Sequence, residues 1–223
     1  MDRNLLLYAS LVSLLAFVLL FLLIYSGISS GFDTAAFMFL NETLNVPQLN
    51  YAFAFISVYG REFFWIPVVA LLLLFGKTKE QKAAVLLAVA FVVVIIVGLL
   101  LKEAYYRPRP FLTVPSTILL VTPDMDSSFP SGHAMIVMAG AIVSLLMLRK
   151  RYSIPLLVEA IVVCYSRIYV GMHYPLDVVG GALLGAGIAF LVVYVMKSQK
   201  LEKFTDTILS KYNKVLHRII PSW

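Results

Sequence analysis

Ser166-Arg167-Ile168-Tyr169-Val170-Gly171-Met172-His173-Tyr174-Pro175-Leu176-Asp177 puts an arginine, a histidine and a carboxylate within twelve residues, between two long runs that carry almost no charge. Those runs, about 153–169 and about 176–196, have the length and composition of membrane-spanning helices. Ionisable groups at membrane depth are costly, so where they persist they mark functional sites. The arginine can grip an anion, and the histidine can attack or transfer a proton. The aspartate, four residues on, can hold that histidine in one tautomer. A lone His-x-x-x-Asp is more often structural, so the case rests on two further polar islands. These are Lys102 with Arg109-Pro110, and Pro130-Ser131-Gly132-His133.

The composition agrees with a membrane protein. Of 223 residues, 61% are hydrophobic and only 13% charged, a balance that excludes an ordinary soluble globule. A net charge of +6 does not argue for nucleic acid, because the basic residues cluster between apolar runs rather than along one soluble face. The single cysteine, Cys164, allows no intrachain disulfide.

Residues 5–25 form a first span, longer than the apolar part of a cleavable signal and followed by no Ala-x-Ala site. Gly27 and Gly31 loosen the chain, and residues 32–44 then predict a short interfacial helix with Asp33 near its start. A second span over 63–75, bordered by Arg61 and Glu62, borrows length from 51–59. The third covers 83–101. Prolines interrupt the polar loop over 103–129. The fourth span starts near Ser131 and ends at Arg149-Lys150-Arg151. After the sixth, Leu201, Phe204, Ile208, Tyr212, Val215 and Ile219 recur at spacings of three and four with lysines between them, which predicts an amphipathic surface helix. The expected fold is all-α and integral to the membrane, with six transmembrane helices, an interfacial helix after the first and an amphipathic C-terminal helix. A six-span domain over 1–197 would carry a cytoplasmic tail over 198–223.

Orientation follows from the lysines and arginines. Arg3, the 77–82 turn, the 149–151 turn and the tail hold 13 of the 18 on one side. Arg61, Lys102, Arg107, Arg109 and Arg167 lie on the other. Both termini are therefore expected in the cytoplasm of a plasma-membrane protein, with all three polar islands at the extracytoplasmic face.

Lys102, Arg109 and Arg167 make a cluster suited to a multiply charged oxyanion, with arginine forks binding two oxygens each. Ser131 sits where a helix N-cap belongs. The free amides of Ser131, Gly132 and His133 would then offer an anion site, and Gly132 would let a phosphate approach the backbone. His133 and His173 suffice for attack at phosphorus and protonation of a leaving oxygen. Standing alone, Pro-Ser-Gly-His is more often only a helix start. Arg107 pairs with Glu103 or touches substrate. Glu159 snorkels or pairs with the 149–151 turn, a proton-relay role being the alternative. Asp124-Met125-Asp126 reads as a solvated loop. Tyr105, Tyr106, Phe111 and Phe129 are belt aromatics or line a lipid-tail groove.

Taken together, Lys102 with Arg109-Pro110, Pro130-Ser131-Gly132-His133, and Ser166-Arg167 with His173 and Asp177 resemble the three-part signature of the type-2 phosphatidic acid phosphatase superfamily. The resemblance implies that His173 is the nucleophile, that Asp177 orients it, and that His133 is general acid and then base. It implies that Lys102, Arg109, Ser131, Gly132 and Arg167 hold the phosphoryl oxygens, with no metal and no cofactor. The implied activity is hydrolysis of a membrane lipid phosphate or diphosphate through a phosphohistidine, led by a polyprenyl diphosphate that serves as a glycan carrier. Phosphatidylglycerophosphate or phosphatidate hydrolysis and lipid phosphotransfer are the alternatives. A lipid transporter is the remote one, since neither inverted repeats nor broken helices are evident. The expected partners are the lipid substrate and the bilayer. No nucleic acid is expected, and the sequence sets no oligomeric state.

Overall fold

The computed structural model describes residues 2–219, and every regular element among them is helical. Helix α1 is Arg3–Tyr25, about 35 Å long at 1.5 Å per residue. Helix α2, Ser30–Met38, continues into a wide turn over Phe39–Thr43. Next come α3 (Asn50–Tyr59) and α4 (Glu62–Phe75), and the segments Pro47–Tyr59 and Glu62–Phe75 meet at 54°. Helix α5 runs over Thr78–Ala104, about a turn beyond the expected span at each end. A short α6 (Pro110–Thr113) interrupts the polar loop. Helices α7 (Gly132–Met147), α8 (Lys150–Tyr169), α9 (Pro175–Met196) and α10 (Gln199–Ile219) complete the chain.

Four helices, α1, α5, α8 and α9, are long and apolar enough to cross a membrane, and the bent α3–α4 pair makes a fifth crossing if it is one span. Helix α7 is apolar but has only 16 residues, about 24 Å against a hydrocarbon core of about 30 Å. Its N-cap is Ser131, whose side chain makes no capping hydrogen bond, and it stops at Leu148 before the basic turn.

Helix α9 is the hub, packed against α1 on one side and α7 on the other, while α7 also meets α5 and α8. The α7–α9 crossing brings backbone against backbone. A Cβ on Gly181 would strike the Ser131 carbonyl, and one on Gly185 the Met135 carbonyl. Two small residues four apart are the usual means of such close approach between apolar helices. On α1, Leu11, Leu15, Leu19 and Leu22 are each more than half exposed, a surface suited to lipid. Phe129 is not a belt residue. It is buried and stacks on Phe17 and Phe21 of α1, with Tyr105 edge-on to it.

The tail does more than lie on a surface. Helix α10 docks back on the start of α5 through Lys82 Nζ to Asp206 at 2.6 Å and the paired amides of Gln81 and Asn213. The last four residues of the expected 198–223 tail lie outside the described residues.

Candidate active site

Helix α8 ends on a left-handed residue, Gly171 (φ +81°), which glycine adopts without the steric cost a Cβ brings. The turn folds the next two amides, Met172 and His173, back onto the Arg167 carbonyl at 3.1 and 3.2 Å. His173 is thereby set beside Arg167. Asn41, from the turn after α2, donates to the Tyr169 carbonyl at 2.8 Å and so satisfies one of the carbonyls that a helix end leaves open. Pro175 then occupies the first turn of α9, and Asp177, in that turn, accepts from the Tyr174 amide at 2.9 Å.

Asp177 is enclosed completely and saturated with donors. Its Oδ1 takes Arg107 Nη1 at 2.5 Å, and its Oδ2 takes the Ser128 hydroxyl at 2.5 Å. The His173 ring stands 3.7 Å from Oδ2 at Nδ1, with the Ser128 hydroxyl 3.4 Å from the same nitrogen. The expected contact between histidine and aspartate thus runs in part through Ser128. On the other side of the ring, Nε2 lies 3.2 Å from Arg109 Nη1. A guanidinium only donates, so Nε2 is the acceptor and the ring proton belongs on Nδ1, facing Ser128 and Asp177. Burial, with Arg109 and Arg167 nearby, pushes the His173 pKa down to about 3, against the opposing pull of Asp177. The imidazole is therefore neutral at physiological pH, with its lone pair on Nε2.

On the Nε2 side, with Arg109, lies a cavity of about 440 Å³ lined by Arg61, Lys102, Arg109, Arg167 and both histidines, His133 and His173. Lys102 reaches it from the last turn of α5, where the helix dipole favours a cation. Arg109 is buried and also donates to the Met172 carbonyl at 3.0 Å. Arg167 is held by the Ser57 hydroxyl of α3 at 2.6 Å. Asp126 pairs with Lys102 at 2.7 Å and with Arg109, while Asp124 stands 3.7 Å from Arg109 and 3.8 Å from Arg167. Burial alone would raise the pKa of Asp126, but the hydrogen bonds from Lys102 and Arg109 hold it at about 2. The loop expected to be merely solvated instead lays two carboxylates across the cations.

Of the eight residues singled out from the sequence, Lys102, Arg109, Gly132, His133, Arg167 and His173 line this cavity. Asp177 lies behind His173, as an orienting group should. Ser131 is buried at the N-cap of α7. Its amide is not free, since it donates to the Asp177 carbonyl at 3.0 Å, which leaves the amides of Gly132 and His133 for an anion. The Ser131 hydroxyl is buried without a partner. Arg107 neither pairs with Glu103 nor lines the cavity. It bridges Asp177 and Asp33, the latter at 2.7 Å, and the two carboxylates outweigh burial and raise its pKa. Asp33 also accepts the Leu176 amide at 2.9 Å. Asp33, Ser57, Arg61 and Ser128 were not anticipated at the site. Two of them carried a signal: Asp33 as the one charged residue between Arg3 and Glu42, and Arg61 as a basic residue counted on the same face as Lys102, Arg109 and Arg167. Among the described residues Glu159 makes no ion pair with the 149–151 turn, and its carboxylate is buried beside Trp65.

A neutral histidine facing a cage of cations can attack an anionic phosphorus, and a second histidine shares the cavity to move a proton. Residues 83–201 match the sequence pattern of the PAP2 superfamily. The chain belongs to that superfamily. It is a lipid phosphatase, as the three motifs led us to expect. An undecaprenyl-diphosphatase of Sulfolobus acidocaldarius is 41% identical over 173 residues, 78% of this chain and 82% of that protein. The PAP2-type phosphatidylglycerolphosphate phosphatase of Bacillus subtilis shares the fold with a TM-score of 0.68 at 26% identity, over 83% of this PAP2 chain and 94% of that one. Aquifex aeolicus LpxE follows with a TM-score of 0.64 at 27% identity, over 70% and 92%.

Proposed function

We propose that this PAP2 enzyme is a metal-independent polyprenyl diphosphatase that regenerates a glycan carrier lipid at the extracytoplasmic membrane face. The observation that carries the chemistry is the neutral His173, its Nε2 lone pair set at the wall of a four-cation cavity. His173 Nε2 attacks the terminal phosphorus, forming a P–N bond as the bridging P–O bond breaks, and its electron pair leaves on the bridging oxygen. His133 protonates that oxygen where the leaving group needs it. The neutral His133 then takes a proton from water, whose oxygen bonds to phosphorus as the P–N bond breaks and its electron pair returns to Nε2, freeing inorganic phosphate. Lys102, Arg109, Arg167, the Ser131 hydroxyl and the Gly132 amide hold the phosphoryl oxygens and stabilise their charge in the transition state. Asp177, through Ser128, holds the ring in the attacking tautomer. The substrate displaces Asp124 and Asp126 from the cations.

In this reading α1, α3–α4, α5, α7, α8 and α9 are six spans, with α2 at the interface and both termini cytoplasmic. Residues 1–197 form the catalytic domain and 198–223 its tail. The likeness to the Sulfolobus diphosphatase supports the carrier-lipid substrate. The fold of the Bacillus phosphatase favours phosphatidylglycerophosphate as the second reading, with phosphatidate beside it. Phosphate release by detergent-purified protein from a long-chain polyprenyl diphosphate, phosphatidate and phosphatidylglycerophosphate separates them. The diphosphate should have the highest kcat/KM. A tenfold advantage for either glycerolipid, about 1.4 kcal/mol of transition-state preference, would overturn the carrier-lipid substrate while leaving the phosphatase intact. Adding lipid alcohols as acceptors distinguishes hydrolysis from phosphotransfer.

A further inference from the structure

The catalytic scheme above leaves one cavity cation without a task. Arg61 stands at the break between α3 and α4 and reaches over the start of α7, its Nη1 3.5 Å from the place a Cβ on Gly132 would take. It lines the same cavity as the two histidines. Its Nη2 pairs with neighbouring Glu62, but its Nε is buried without a hydrogen-bond partner. A buried N–H lacking an acceptor is costly and calls for an explanation, of which a bound anion is one.

Arg109 touches the attacking nitrogen of His173. Arg61 instead lies against Gly132, the residue before His133. In-line displacement sends the leaving oxygen away from the nucleophile, and His133, its proton donor, marks that side. When a lipid monophosphate is cleaved, an uncharged alcohol departs. When a diphosphate is cleaved, a second phosphate departs, with about 1.5 to 2 negative charges. Arg107, the other candidate for an additional cation, is already engaged by Asp33 and Asp177.

We infer that Arg61 and the start of α7 form a second phosphate subsite, which binds the inner, lipid-linked phosphate of a diphosphate. The inference rests on the phosphatase reading above and assigns it a specificity determinant. As the bridging P–O bond breaks, its electron pair moves onto the inner phosphate, and the Arg61 fork stabilises the charge that accumulates there. The subsite has no function in cleavage of a monophosphate.

The test uses the full chain and one lipid in two forms, a polyprenyl diphosphate and the monophosphate of the same chain length, so tail contacts cancel. The quantity read is the ratio of the two kcat/KM values within one preparation, which is independent of how much enzyme is correctly folded. Arg61→Gln should lower that ratio by about a hundredfold, the usual scale for removing one preorganised donor. An unchanged ratio, whether both activities fall together or neither falls, would overturn the subsite. The two readings fail separately. A wild-type enzyme that prefers glycerolipid monophosphates defeats the carrier-lipid substrate, whereas a wild-type preference for diphosphate that survives Arg61→Gln defeats only the subsite.

Discussion

At the scale of single residues, the state of His173 has consequences for both stability and rate. An imidazole titrates near 6.5 when free, and burial holds this one down to about 3. The unfolded chain therefore takes up a proton between those values that the native state refuses. This share of stability is complete above pH 6.5 and is lost as pH falls toward 3. Melting curves at pH 7, 5.5 and 4 should show the decline, and His173→Asn should lessen it while abolishing turnover. An equally steep decline in that variant would mean that His173 is not the group responsible. His133→Ala should be impaired more on monophosphates than on diphosphates, because an alcohol needs the proton and a phosphate leaving group does not. That is the opposite bias to Arg61→Gln. Asp126 pairs with Lys102 and Arg109, so in the proposed scheme it competes with substrate for them. Asp126→Asn should tighten vanadate inhibition a few-fold, in keeping with the roughly 0.2–1 kcal/mol of a partly exposed pair, and unaltered inhibition would remove Asp126 from that competition. The motif residues were legible because phosphate chemistry restricts which side chains serve and how far apart they stand. Ser57 and Ser128 were not, since a serine's partner across the fold, here Arg167 or Asp177, leaves no trace in local spacing.

At the scale of elements, the spans announced themselves through apolar length, and the crossings between them did not. Gly181 and Gly185 read as two glycines in an apolar run. Only the structure shows that they set Ser131 and Met135 of α7 directly on α9. Gly185→Val should force the helices apart, with an overpacking cost of about 1–3 kcal/mol or more, seen as a lower melting temperature in detergent. Unchanged melting would mean the crossing relaxes freely. The angle of the α3–α4 bend was equally hidden, because Gly60-Arg61-Glu62 interrupts an otherwise apolar stretch by only three residues. Helix α2 was anticipated, but its attachment was not. Asp33 ties it to the start of α9 through Arg107 and the Leu176 amide. Asp33→Asn should lower kcat with little change in KM, since it loosens the support of Asp177 without touching the phosphate. A rise in KM alone would place Asp33 on the binding side instead.

At the scale of the whole molecule, the basic turns and the cavity lie at opposite ends of the long helices. Lys77, Lys79 and Lys82 lie at the opposite end of α5 from Lys102, and the 149–151 turn at the opposite end of α8 from Arg167. Cysteines at Thr122 and Thr78, both at exposed positions, test the orientation, with buried Cys164 as a quiet background. An impermeant thiol reagent added to intact cells should label the first and spare the second. The reverse pattern would invert the topology.

The Arg107 bridge also implies a division of labour along the chain. The superfamily pattern begins at residue 83, yet Asp33, which meets Asp177 through Arg107, Ser57, which holds Arg167, and Arg61, which lines the cavity, all precede it; in our reading they steady in turn the orienting aspartate, one phosphate cation and the departing phosphate. The later segment then supplies the bond-breaking apparatus and the earlier one tunes it. Exchanging residues 1–77 between such enzymes should transfer the choice of substrate while hydrolysis persists, so new lipid preferences can arise by recombination upstream of an unaltered reaction centre.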